Sequence, residues 1–116
     1  AITINDQIYE RALKEVDFIK KFIFPGSFIP SVHAILTCAK NRSDLRLYHL
    51  EDITPHYVKT LLNWRKRFYT NRSHIKFLRM WDYYFCYCAG GFQERSIGNV
   101  HLVFAKPDFR GSIQNG

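Results

Sequence analysis

The residues of this 116-residue chain best suited to chemistry lie between Thr54 and Cys88. Tyr57 follows Thr54-Pro55-His56, where a threonine suited to N-capping and a proline suited to the first helical position predict a helix start. A tyrosine in the first turn of a helix sits beside backbone N–H groups that have no intrahelical partner, at the positive end of the helix dipole. Its phenol can donate a hydrogen bond, so the position can hold a small anion. The plainer alternative is a core tyrosine whose hydroxyl bonds locally. His56 invites an acid–base role, but neighbouring helical residues diverge, and a half-exposed capping histidine fits better. His33, His49, His74 and His101 share no common spacing. Cys86 and Cys88, two apart in a helical stretch, point in different directions and do not make a metal pair. Trp81, Tyr84, Phe85 and Tyr87, with Cys88, can wall an apolar channel and set π faces near a cation. The same aromatic stripe is also what an ordinary helix core looks like.

Those residues need two helices to position them. The first starts at Thr54 and carries Tyr57, Leu61, Trp64 and Phe68 on one stripe, with Lys59, Asn63, Lys66 and Arg67 opposite. The second is expected to be capped by Ser73. Its stretch from Phe77 to Ala89 is apolar almost all round, which predicts burial, and Gly90-Gly91 is expected to stop it. Upstream, residues 1–4 read as a short strand. A helix capped by Asn5 or Asp6 follows, with Ala12, Val16, Ile19 and Ile23 inward and Arg11, Lys14, Lys20 and Lys21 outward. FIFPGSF then concentrates three phenylalanines around a Pro25-Gly26 turn, either as a hydrophobic corner on the core or as the mouth of an acyl site at a lipid surface. Pro30-Ser31 starts a helix to about Lys40. Leu45, Leu47 and His49 alternate with Arg46, Tyr48 and Leu50 as in a strand, and Val100, Leu102 and Phe104 alternate with Asn99, His101 and Val103. Beyond Pro107, residues 108–116 form a polar tail expected to fray.

Four stretches together resemble the carboxy-terminal part of the cyclopropane-fatty-acyl-phospholipid and mycolic acid cyclopropane synthases. They are VDFIKKFIFPGSFIPS at 16–31, PHYVKTLLNWRKRF from Pro55, RMWDYYFCYCAGGF ending at Phe92, and IGNVHLVFAKP at 97–107. The resemblance runs over residues 1–107 in consistent order. It implies an α/β fold, the carboxy-terminal half of a doubly wound S-adenosylmethionine-dependent methyltransferase, helix-rich with a few strands and an antiparallel late strand. It implies a methyl transfer to a cis double bond of an acyl chain, then loss of a proton that closes a cyclopropane, with bound bicarbonate as the base. By residue match Tyr57 contacts that bicarbonate, and Ile2 matches a second anion-contacting position that acts through its backbone. Trp81, Tyr84, Phe85 and Cys88 are the candidate channel wall. His101 departs from the family's usual Gln. No glycine-rich loop between a strand and a helix is present, since Gly90-Gly91 follows a helix; the resemblance implies that an amino-terminal half holds the cofactor, and no residue here is assigned to it. AITI reads as the end of a strand, which suggests a piece of a longer protein, inactive and prone to self-association on its own.

Composition narrows the partners. Seventeen Lys and Arg against 10 Asp and Glu give a net charge of +7, which favours polyanionic partners without choosing among them. Arg65-Lys66-Arg67 raises the possibility of nucleic acid, but Trp64 and Phe68 share the apolar stripe and the charges take the other side, so a solvated basic face comes first and anionic lipid second. Lys20, Lys21 and Lys66 are the candidate membrane-facing cations, and nucleic acid is not expected. Three cysteines, an odd number without framework spacing, point to a reducing compartment. No apolar run approaches the ~20 residues of a membrane span and no signal peptide is evident. The location expected is cytoplasmic, peripheral to the inner face of the membrane. Relatives that make methyl-branched chains or methylate amines leave the product open.

Overall fold

The computed structural model describes residues 1–111. Three strands, β1 (Ile2–Ile4), β2 (Arg46–Asp52) and β3 (Ile97–Ala105), form a sheet in the order β1-β3-β2. β3 runs antiparallel to both neighbours, so the late strand is antiparallel as expected. Four α-helices accompany it: α1 (Tyr9–Lys14), α2 (Val32–Arg42), α3 (Thr54–Thr70) and α4 (Leu78–Gln93).

Among the described residues the buried hydrophobic cluster lies at the crossing of α3, α4 and β3. Leu61, Ala89 and Phe92 are buried there, with Tyr57, Val58, Phe85, Cys88 and Ile97 against them. Burying a leucine or phenylalanine fully stabilises by about 1.5–3 kcal/mol, so this cluster ties the two helices to the sheet. An ion pair between Arg65 and Asp82, 2.8 Å, adds a polar link between the helices.

Several expectations are corrected. The helix expected from Asn5 or Asp6 to Ile23 is broken into a 3₁₀ turn (Asp6–Ile8), α1 and a π-helical turn (Ile19–Ile23). Local side-chain bonds outcompete the apolar stripe. The Lys20 ammonium donates to the carbonyls of Ala12 and Glu15, which the end of α1 leaves without helical partners. The Asp17 carboxylate accepts the Lys20 backbone N–H at 2.9 Å, and Val16, expected inside, is 72% exposed.

At the start of α3, Thr54 is not the cap. It lies inside the helix, buried, and the Asp52 carboxylate accepts its backbone N–H at 2.9 Å. Ser73 does not cap α4 either, because residues 72–74 form a 3₁₀ turn that continues from α3, and α4 begins after Phe77, which adopts a left-handed conformation with φ 58. Nor is α4 buried all round: Tyr83 and Tyr87 are exposed. Gly90 and Gly91 lie within the helix, which reverses only at Arg95, with φ 60. A Cβ on Gly91 would come within 3.1 Å of the Ile97 side chain, so its absence lets β3 lie close on α4.

β2 shows the expected alternation only in part, since a register shift between Leu47 and His49 puts Tyr48 out of step with β3. Tyr48 instead holds the chain after β3, donating to the Gly111 carbonyl at 2.7 Å and packing edge-on against Phe109. The rest of the expected frayed tail, residues 112–116, lies outside the described residues.

Candidate functional site

β1, the segment from Ile8 to Pro30, the first turns of α3 and the second half of α4 enclose a cavity of about 630 Å³. That is the size of a pocket for a small organic ligand. Ile2, Tyr57, Tyr84 and Cys88, distant in sequence, all line it.

Each arrives there for a local reason. Tyr57 hangs one turn into α3 and is fixed edge-on against Phe92, ring centroids 4.8 Å apart, and against Trp64 at 6.1 Å. Tyr84 and Cys88 are four apart on α4 and therefore project side by side. Ile2 belongs to β1, whose pairing with β3 alternates. Ala1 and Val100 exchange hydrogen bonds, and Asn5 donates to Ser96, so the peptide groups of the intervening Ile2 and Ile4 point to the opposite edge. There Ile4 donates to the Pro30 carbonyl at 3.0 Å.

Three of the titrating side chains that line it, Tyr57, Tyr84 and Cys88, are held in their neutral forms. Burial raises the Tyr57 phenol, with a further contribution from nearby Cys88. Burial pushes Tyr84 up to about 12, aided by Cys88 and Tyr57, and pushes Cys88 up to about 11 against an opposing interaction with the Tyr84 hydroxyl. At neutral pH these three therefore present two phenols and a thiol that can donate hydrogen bonds, and Cys88 is not a thiolate nucleophile; Arg11, Glu15, Asp17, Lys20, Tyr87 and Glu94 also line the cavity.

The remaining candidates separate. Trp81 stacks edge-on against Tyr84 at 5.6 Å, but neither it nor Phe85 lines the cavity; Phe85 packs against Phe68 and the core instead. Lys20 lines the cavity with its ammonium tied to the two carbonyls of α1. Lys21 and Lys66 are exposed, Lys21 lying 5.3 Å from the Phe22 ring centroid. His56 is exposed at the start of α3.

Sequence reasoning missed two features. Asp17 takes a hydrogen bond from the Tyr87 hydroxyl, 3.1 Å, while Phe18 packs on Tyr83 at 4.6 Å, so the segment after α1 is fastened to α4 across the cavity. Burial, then Asp17, pushes Tyr87 up to about 12. No sequence signal marks that pairing across 70 positions. The second is the arrangement of Asp52, Thr54 and Asn99 behind Tyr57, for which the Asp-x-Thr spacing before a helix was a readable sign.

Among the described residues, no group of three or more His, Cys, Asp or Glu side chains is placed to hold a metal, and no helix is long and apolar enough to cross a membrane. Nor do they offer a strand, glycine-rich turn and helix for a nucleotide cofactor: Gly26, with φ 79, lies between the π-helical turn and α2, and Gly90 and Gly91 are helical.

Residues 1–102 match the family model described as mycolic acid cyclopropane synthetase. The chain belongs to this family. Among curated relatives, the tuberculostearic acid methyltransferase UfaA1 of Mycobacterium tuberculosis is 36% identical over 84 residues, 66% of this chain and 20% of that protein. The cyclopropane-fatty-acyl-phospholipid synthase of Escherichia coli K12 is 30% identical over 105 residues, 85% of this chain and 26% of that protein. Of solved structures, mycolic acid cyclopropane synthase CmaA1, complexed with SAH and CTAB, superposes with a TM-score of 0.73 at 26% identity, over 89% of this chain and 41% of that one. The cyclopropane synthase MmaA2 from M. tuberculosis gives 0.77 at 22% identity, over 91% and 42%. The chain thus spans about a quarter or less of these two curated relatives' length and about two fifths of these structures. The fold class expected from the resemblance, a helix-rich part of this methyltransferase fold with an antiparallel late strand, is the one observed.

Proposed function

We propose that this chain supplies the acyl-binding side of an S-adenosylmethionine-dependent lipid methyltransferase that converts cis double bonds of phospholipid acyl chains to cyclopropanes. The observation that carries the reading is the cavity itself, a largely apolar space of about 630 Å³ whose wall includes Tyr57, Tyr84 and Cys88 in their neutral forms. Apolar walls suit a hydrocarbon chain. A buried phenol that keeps its proton suits a small anion more than it suits a proton acceptor, and the Tyr57 phenol, with the open-edge backbone of Ile2, would hold bicarbonate. Bicarbonate bound there would supply the base that the ring-closing proton loss needs. Tyr57 would orient it, and the aromatic rings would keep water from the reacting chain.

Among the described residues no glycine-rich turn joins a strand to a helix to receive S-adenosylmethionine, so its binding is assigned to the remainder of the enzyme. Support for the cofactor comes from the relative crystallised with SAH. The acyl chain would enter past Phe24 and Phe28, which line the cavity while remaining more than half exposed. Phe22 and Lys21 beside them, and Lys66 on α3, would meet an anionic phospholipid surface, giving a cytoplasmic enzyme peripheral to the inner face of the membrane.

A phospholipid carrying a photoreactive group midway along its acyl chain tests the cavity assignment in the enzyme that contains this chain. Irradiation should label peptides bearing Tyr84, Cys88 or Phe92, and unlabelled monounsaturated phospholipid should compete. Labelling confined to other parts of the enzyme would remove the acyl-site reading.

A further inference from the structure

The two positions assigned to the anion lie on different elements, and one residue of β3 stands opposite the first and is bonded to the start of the helix that carries the second. Asn99 stands opposite Ile2 in the β1–β3 register. Its carbonyl accepts the Ile53 N–H at 2.9 Å, and the Ile53 carbonyl accepts the Tyr57 N–H at 3.2 Å. The Asn99 N–H donates to the Thr54 hydroxyl oxygen at 3.1 Å. Both backbone groups of Asn99 are therefore committed to the start of the helix that carries Tyr57.

Thr54 is 2% exposed and does not behave as a helix cap, since its hydroxyl takes no N–H from the first turn of α3. It donates instead to Asp52 Oδ1 at 2.5 Å, and the same oxygen accepts the Thr54 N–H. The other Asp52 oxygen accepts from Arg95 Nη1 at 2.5 Å. An ionised carboxylate can only accept, which fixes the hydroxyl proton on the Asp52 side and leaves an oxygen lone pair for Asn99. Space for the arrangement comes from Gly98, where a Cβ would lie 3.2 Å from the Thr54 hydroxyl oxygen and 3.6 Å from that of Thr3.

We propose that Thr54, oriented by Asp52 and seated on the Asn99 backbone, is a positioning residue that sets the Tyr57 phenol at its working distance from the Ile2 edge of β1. The inference rests on the anion-site reading above. A helix start could be held with fewer bonds, by a side chain capping its own first turn. Here the polar groups are used across elements, between α3 and the strand that also carries the pairing to Ile2. Substitution should therefore disturb the spacing of the two anion contacts and leave the acyl wall on α4 in place.

The test uses the enzyme that contains this chain and compares Thr54→Val, Thr54→Ser and Gly98→Ala, with Tyr57→Phe in parallel. The readouts are kcat, KM for the phospholipid and the bicarbonate concentration giving half-maximal rate. Thr54→Val keeps the volume and removes the hydroxyl. It should lower kcat by about tenfold to a hundredfold, the scale of a small misplacement of a reacting group, raise the bicarbonate requirement and leave the phospholipid KM unchanged. Thr54→Ser should restore most of both. Gly98→Ala, which presses on the hydroxyl without removing it, should raise the bicarbonate requirement even where Thr54→Val fails to fold. Wild-type kcat and bicarbonate dependence in folded Thr54→Val, or in Gly98→Ala, would overturn the proposal, as would Thr54→Ser no better than Thr54→Val. If Tyr57→Phe loses turnover while Thr54→Val does not, only this inference falls; if Tyr57→Phe is itself unaffected, the anion-site reading falls with it.

Discussion

Cys88 and Tyr57 face the same cavity, and burial acts on both in the same direction, keeping each protonated at neutral pH. The thiol is the easier to test, because alkylation proceeds through the thiolate. With Cys88 pushed up to about 11 while Cys38 and Cys86 are exposed, iodoacetamide at pH 8 should modify Cys38 and Cys86 well before Cys88. Peptide mass mapping of a time course checks this, and Cys88 reacting first would mean that the wall is open to solvent. Asp52 shows the opposite shift. The Thr54 hydroxyl, the Thr54 backbone N–H and then Arg95 hold its carboxyl at about 2, below the ordinary 3.8. A carboxyl with a depressed folded-state value contributes stability that is present above the unfolded value and lost as pH falls through the folded one. Acid unfolding should accordingly carry an Asp52 component between about pH 4 and pH 2, and Asp52→Asn should flatten that part of the curve followed by circular dichroism. The residue types at both positions were plain in the sequence, but their surroundings were not, because Cys88 packs against a cluster that includes Leu61 of α3, and Asp52 is bonded to Arg95 beyond α4.

Elements were legible where one pattern acted alone. Thr54-Pro55 and the stripe from Tyr57 through Leu61 to Phe68 placed the start of α3 to within a residue, and alternation placed β3. Reading failed where a local side-chain bond or a close contact competed with the pattern. Val16 and Ile19 kept helical spacing across a break that Lys20 and Asp17 stabilise. Gly90-Gly91 looked like a stop and is part of α4, because the requirement it answers is the approach of Ile97, a tertiary fact. The two glycines now make a contrasting prediction. Gly90 has open space where a Cβ would go, so Gly90→Ala should stabilise the folded chain by about 0.5–1 kcal/mol through helix propensity. At Gly91 the added methyl meets Ile97 at 3.1 Å, and Gly91→Ala should destabilise by about 1–3 kcal/mol. Chemical denaturation of both variants decides the matter, and equal effects would contradict the close packing of β3 on α4.

For the whole molecule, the radius of gyration of 17.1 Å exceeds the ~13 Å of a compact domain of about 100 residues, and large apolar side chains such as Phe22, Phe24 and Phe28 remain more than half exposed. Together with a net charge of +7, that surface is the one the proposed anionic lipid contact would use. Binding to vesicles should require anionic lipid, weaken as salt screens the charges, and fall further in Lys21→Ala and Phe22→Ala. Mixed oligonucleotides should not compete effectively; a clear preference for them over anionic vesicles would reverse the choice of partner. The family was legible because four separated motifs kept their order, whereas the cavity was not, since its walls come from β1, the broken segment after α1, α3 and α4 together. The central claim, that Tyr57 serves the reaction through its hydroxyl, is tested most directly by Tyr57→Phe in the enzyme that contains this chain, assayed for methyl transfer from S-adenosylmethionine to monounsaturated phospholipid. The ring contacts with Phe92 and Trp64 survive the substitution, so stability should change by no more than about 0.5–1.5 kcal/mol, the value of one hydrogen bond. A correctly held base contributes about 10²–10⁴-fold, so turnover should fall at least about tenfold, with phospholipid binding unchanged and part of the rate restored by added bicarbonate. Wild-type turnover in a stably folded Tyr57→Phe enzyme would contradict the account and leave Tyr57 a residue of the core.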